Sequence, residues 1–192
     1  MIILLSNYRV GSSSFLKEYA EKSGAVYSIK GKPYTTEYHH GFDGGYKPPD
    51  CKINLYKVMP DQVKNNFEEF KKDFLDESKE IIYLARRNFT KQVLSLAVCA
   101  KTQNWHPWQE NFNQRFSDTH KSSFVLDLPT YKKHEEELLY NLKQQSLIYK
   151  SYPGEVFYLE DRYSKQKEYP NKVKIVNQED FYSDVNVEEY FQ

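Results

Sequence analysis

Short uninterrupted apolar runs alternate along this chain with segments whose apolar residues recur every three or four positions. Ile2 to Leu5 is such a run, stopped by Ser6-Asn7, and it predicts a strand buried on both faces. Gly11-Ser12-Ser13-Ser14 follows, then Phe15, Leu16, Tyr19 and Ala20 at helical spacing, with Gly24 placed as a C-cap. Ala25 to Ile29 predicts a second strand and Ile53 to Val58 a third. Between them, residues 30–50 carry Gly31, Pro33, Gly41, Gly44, Gly45 and Pro48-Pro49, a long irregular stretch of the kind that often serves function. After Pro60-Asp61, the spacing of Val63, Phe67, Phe70 and Phe74 predicts an amphipathic helix. Ile81 to Ala85 is another buried strand, and Val93, Leu96, Ala97 and Ala100 form the inner stripe of the helix behind it. Residues 103–121 are aromatic and polar without clear period. A long helix is expected from Tyr131 to Tyr149, then a strand from Val156 to Leu159 after Pro153-Gly154, with one more short strand at Val173 to Val176.

Buried strands alternating with amphipathic helices imply a parallel sheet covered on both faces. The expected architecture is a three-layer α/β fold of the P-loop type, with a mostly parallel sheet flanked by helices, forming a single domain over residues 1–192. Ligands in such folds sit beyond the carboxyl ends of the strands. That directs attention to three turns: Asn7 to Ser14, Lys57 to Gln62 and Arg86 to Ser95.

Composition narrows the function. Lys plus Arg and Asp plus Glu are 27 each, so the formal charge is zero, a poor basis for gripping long nucleic acid. With 39% hydrophobic residues there is ample core, and the mean hydropathy of −0.82 reflects a polar surface. No apolar run exceeds five residues, far below the ~18 needed to span a bilayer. The opening Met1 to Leu5 has no basic residue ahead of it and does not read as a signal peptide. Cys51 and Cys99 build no disulfide framework and read as reduced, buried thiols. A cytoplasmic protein is expected.

The turn Asn7-Tyr8-Arg9-Val10-Gly11-Ser12-Ser13-Ser14 combines a helix start, a glycine, small hydroxyls and one cation. It suits a phosphate-like anion. An ordinary Ser-capped helix start would look similar. The mononucleotide-kinase signature requires a second glycine and a Lys that Gly11 lacks, and no strand ends in an Asp placed for Mg²⁺. In the second turn, Arg87 closes a strand and Ser95 follows eight residues later, two turns into a helix. A guanidinium and a hydroxyl so placed can meet on one anion. A solvated Arg pair with a helix Ser bonded to its own backbone is the plainer reading.

Taken together, Arg-x-Gly-Ser-Ser after one strand and Arg-x7-Ser after a later one resemble the two-part nucleotide signature of the sulfotransferases, enzymes that use 3′-phosphoadenosine-5′-phosphosulfate (PAPS). The likeness is closest to the bacterial trehalose sulfotransferase-like branch. Lys101-Thr102-Gln103-Asn104-Trp105-His106, Lys57-Val58-Met59 and a fainter echo at Tyr158-Leu159-Glu160-Asp161 carry it further, chiefly over residues 1–108. The resemblance implies transfer of a sulfuryl group from PAPS to a hydroxyl of a small-molecule or carbohydrate acceptor, leaving 3′,5′-adenosine bisphosphate (PAP), with no metal and no membrane. It assigns Arg9, Gly11, Ser12 and Ser13 to the 5′-phosphosulfate, and Arg87 and Ser95 to the 3′-phosphate. Position 14 is Ser where many cytosolic members carry an adenine-stacking Trp, Leu159 stands where some carry Tyr, and no Arg-Lys-Gly tail is present.

Transfer to a hydroxyl requires a base at that hydroxyl and cations where charge grows. Arg9 and Lys57 supply the charge. Glu37 resembles the branch's acidic residue and is the first choice of base, with His39 and His40 as alternatives. The histidine pair has no third ligand at metal-binding spacing. Trp105, His106 and Trp108 either line an acceptor pocket or pack a core. Two other readings stand beside the enzyme: a non-catalytic interaction protein that keeps a nucleotide-binding fold, and a nucleotide or nucleoside kinase.

Overall fold

The computed structural model describes residues 1–25, 49–50, 52–102, 123–162 and 174–192. Most of the expected strand at Ala25 to Ile29 lies outside them, as do Glu37, His39, His40, Cys51, Trp105, His106 and Trp108. Among the described residues, four strands form one sheet: β1 (Ile2–Ser6), β2 (Leu55–Val58), β3 (Glu80–Ala85) and β5 (Glu155–Tyr158). Their order is β2-β1-β3-β5 and every pairing is parallel. A two-residue ribbon stands apart, β4 (Ser123–Phe124) beside β6 (Lys174–Ile175). The strand expected near Val173 to Val176 therefore joins this ribbon rather than the main sheet.

The period of two along each strand divides the core. Ile3, Leu5, Tyr56, Val58, Ile81, Tyr83 and Ala85 face one side, where they meet helix α4 (Phe89–Thr102), the long α5 (Leu128–Ser151) and the phenylalanines Phe70 and Phe74. Leu4, Leu55, Ile82 and Leu84 face the other side and meet Val10, Phe15, Leu16 and Ala20 of helix α1 (Ser12–Ser23) and the turn before it. The fold is α/β, with a parallel sheet between helical layers. No helix among the described residues is long and apolar enough to cross a membrane. Cys99 is a buried free thiol on α4, its pKa pushed up by burial.

Two helices differ from their sequence patterns. The single helix expected after Pro60 is delivered as α2 (Pro60–Val63), α3 (Phe67–Phe70) and a π turn at Lys71–Leu75. Asn65-Asn66 interrupts it, because Asn competes for its own backbone and favours caps over helix interiors. The apolar face survives: Val63, Phe70 and Phe74 are buried. Helix α5 starts earlier than its apolar stripe suggested, since the Asp127 side chain accepts from the Thr130 amide and Pro129 fits the first turn. A last short helix, α6 (Leu159–Arg162), follows directly on β5.

Candidate functional site

β1 leads out toward β2 on one side and β3 leads out toward β5 on the other, so the order reverses between these two neighbours. In open α/β sheets such a reversal opens a crevice at the carboxyl ends of the strands. Ser6 lies in register with Leu84, which puts the turns after β1 and β3 on the same rim. Arg9 Nε donates to Ser95 Oγ across that crevice at 3.0 Å. The two sequence elements singled out above therefore meet directly.

The β1–α1 turn presents a helix start able to receive an anion. Gly11 is the N-cap of α1 with φ 73°, left-handed backbone that glycine adopts without a Cβ penalty. No side chain among the described residues caps the helix, and its first turn holds no acidic residue. The dipole end is flanked instead by Ser12, Ser13 and Ser14, with Ser12 buried. Arg9 itself has φ 61°, a conformation that costs a non-glycine residue about 1–3 kcal/mol. Its surroundings hold it there.

Those surroundings are a buried polar scaffold. Asn7 Nδ2 donates to the Leu138 carbonyl at 2.8 Å, and Asn7 Oδ1 accepts from the Tyr8 amide. Gln92 Nε2 donates to the Tyr8 carbonyl at 2.6 Å. The Tyr8 hydroxyl donates to Asp61 Oδ2 at 2.7 Å, and the Asp61 amide donates to Asn141 Oδ1. Helices α2, α4 and α5 thus each hold the turn by at least one bond, with Asn7, Gln92 and Asn141 buried. A loop fixed this way presents its amides without reorganisation. Lys57, near the carboxyl end of β2, is 2% exposed and shares the α1 side of the sheet with Leu55 by strand alternation.

The two arginines after β3 diverge. Arg87 makes a forked pair with Asp161, Nη1 to Oδ1 at 2.5 Å and Nη2 to Oδ2 at 2.9 Å, and Nε donates to Glu188 at 2.6 Å. Its guanidinium also lies over the Tyr158 ring, 4.0 Å from the centroid. The hydrogen bonds it donates to Asp161 and Glu188 push the Arg87 pKa up. Glu160 accepts from the amides of Arg87 and Asn88 at 3.0 and 3.1 Å, filling the start of α4 with a protein carboxylate. Arg86 leans the other way, toward Arg9. Tyr158, Glu160 and Asp161 are thus partners of this turn, while Arg86, Gln92, Asp61 and Asn141 went unassigned in the sequence.

The Asp161 clamp has a measurable signature. The Arg87 hydrogen bonds hold the Asp161 carboxyl below the usual carboxylate range. A carboxyl whose folded pKa is depressed stabilises the fold above its unfolded value, about 3.9, and loses that contribution as pH falls through the folded value. Carbon-detected NMR titration is expected to place the Asp161 midpoint below that of an exposed Asp, and Arg87→Gln to restore it. An unchanged midpoint in the variant would remove Arg87 as the cause.

Among the described residues, no group of three His, Cys, Asp or Glu side chains is placed to hold a metal ion. Compared with family models, curated proteins and solved structures, the chain matches none.

Proposed function

We propose that this protein is a PAPS-dependent sulfotransferase on a P-loop-type sheet, passing a sulfuryl group to a hydroxyl of a small-molecule or carbohydrate acceptor. The observation that carries the reading is the Arg9 Nε–Ser95 Oγ bond, which joins the two turns of the signature on one rim beside an N-terminus of α1 that no side chain caps. On this reading Arg9, Gly11, Ser12 and Ser13 receive the 5′-phosphosulfate. Arg87 and Ser95 receive the 3′-phosphate, which takes the place of Asp161 and Glu188 on the guanidinium. The acceptor oxygen bonds to sulfur as the bond from sulfur to the phosphate oxygen breaks, and PAP departs. The acceptor's proton passes to a base, for which Glu37 is the first choice ahead of His39 and His40. Arg9 and Lys57 balance the negative charge on the sulfuryl and leaving oxygens.

Thermal unfolding with PAP against ATP–Mg²⁺ tests the reading in one plate. A ligand at 100 times its dissociation constant adds ~2.7 kcal/mol, which raises the Tm of a chain this size by roughly 5–10 °C. PAP is expected to give that shift and ATP–Mg²⁺ little. The reverse pattern would favour a kinase, and no shift with either would favour an interaction protein.

A further inference from the structure

Arg86 sits just past the carboxyl end of β3, with its side chain 14% exposed. Its Nη1 approaches the Arg9 carbonyl at 3.5 Å, at the long limit for a hydrogen bond. Its Nε is buried and has no hydrogen-bond acceptor among the described residues. The carboxylate nearest to that nitrogen is Glu160 at 3.8 Å, and both Glu160 oxygens already accept backbone amides. A guanidinium carries five donors, and leaving one of them unmet in a desolvated site is costly. Burial depresses the Arg86 pKa; the attraction of Glu160 opposes this, and the nearby positive Arg9 adds a smaller depression. Arg87, next in sequence, is the opposite case: its fork is filled.

We infer that Arg86 is the second cation, beside Arg9, for an oxyanion held at the N-terminus of α1, while its neighbour Arg87 takes no part in that contact. The inference deepens the proposed donor reading and rests on it. Its ligand class is wider: a phosphate- or sulfate-type group bearing two or more negative charges. Such an anion would meet the orphaned Nε and relieve the repulsion between the two guanidiniums in one step. The alternative is that Arg86 only props the left-handed turn at Arg9 through the Arg9 carbonyl.

Titration calorimetry of the full chain with inorganic pyrophosphate, and separately with PAP, decides between them. Arg86→Gln is expected to weaken pyrophosphate about 10- to 100-fold, the worth of a charge-assisted contact. Arg86→Lys, which keeps the charge and loses the fork, should fall between, and it is the variant read if the Gln protein does not fold. Lys132→Gln, which removes an exposed cation of α5 paired with Glu135, should bind pyrophosphate within about two-fold of wild type. A prop alone would lower the Tm of both Arg86 variants and leave pyrophosphate affinity unchanged, which would overturn the inference. Loss in Arg87→Gln but not in Arg86→Gln would overturn it as well. Wild-type protein that binds pyrophosphate but not PAP would remove the donor reading alone; binding neither would remove both.

Discussion

Replacing Arg9 with Ala is expected to lower PAPS turnover (kcat) about 10²–10³-fold, over and above its loss of donor affinity as one of two cations on the anion, because charge on the transferring group grows after binding. Stability should separate the two obvious variants. Arg9 holds φ 61°. Ala retains that strain and loses the bond to Ser95, whereas Gly adopts the conformation freely. Arg9→Gly should therefore be more stable than Arg9→Ala by about 1 kcal/mol in urea unfolding, and equally inactive. Strain kept at the cost of stability is the expected mark of a functional residue. Turnover preserved in Arg9→Gly would remove Arg9 from the chemistry. A Gly variant less stable than the Ala variant would show that the turn is not strained.

The strands were legible because burial on both faces erases polar alternation: Ile2 to Leu5 and Ile81 to Ala85 appear as β1 and β3 with their sequence limits nearly unchanged. The rim was legible for the same reason, since parallel strands joined by right-handed crossovers place successive carboxyl ends together. The pattern led to the expectation that the turns at Gly11 and Arg87 share a rim; the direct bond between Arg9 and Ser95, 86 residues apart, was not legible in it.

What stayed hidden depended on geometry finer than one strand period. Arg86 and Arg87 are the same residue type side by side, yet one leans to Arg9 and the other to Tyr158, Asp161 and Glu188. Adjacent residues at a strand end leave in different directions, and nothing local says which meets the ligand. The scaffold left a weaker trace. Asn141 and Gln145 interrupt the α5 stripe of Leu138 and Leu142 one turn apart, and both are fully buried. A polar residue on an apolar stripe has to bond to something, and Asn141 bonds to the Asp61 amide at the rim.

A large stability loss from one added methyl is expected at Gly154. A Cβ there would lie 2.0 Å from the Ile81 carbonyl oxygen and 3.2 Å from the Tyr83 ring. Neither neighbour can yield. Ile81 is backbone in the sheet, and Tyr83 is fully buried with its hydroxyl donating to the Tyr152 carbonyl at 2.6 Å. The start of β5 must move instead, and Gly154→Ala should cost roughly 3 kcal/mol in chemical unfolding. The displacement has a second consequence, because β5 runs straight into α6. Its register with β3, Ile82 to Glu155 through Ala85 to Tyr158, fixes where Glu160 and Asp161 meet the Arg86–Arg87 turn. The variant should therefore also return the Asp161 titration toward the ordinary carboxyl range at temperatures where it remains folded. A loss of stability with the Asp161 midpoint unchanged would mean that the clamp is positioned independently of β5. A cost below about 1 kcal/mol would mean that β5 accommodates the methyl by sliding, and the close approach to Ile81 would not be what glycine is needed for.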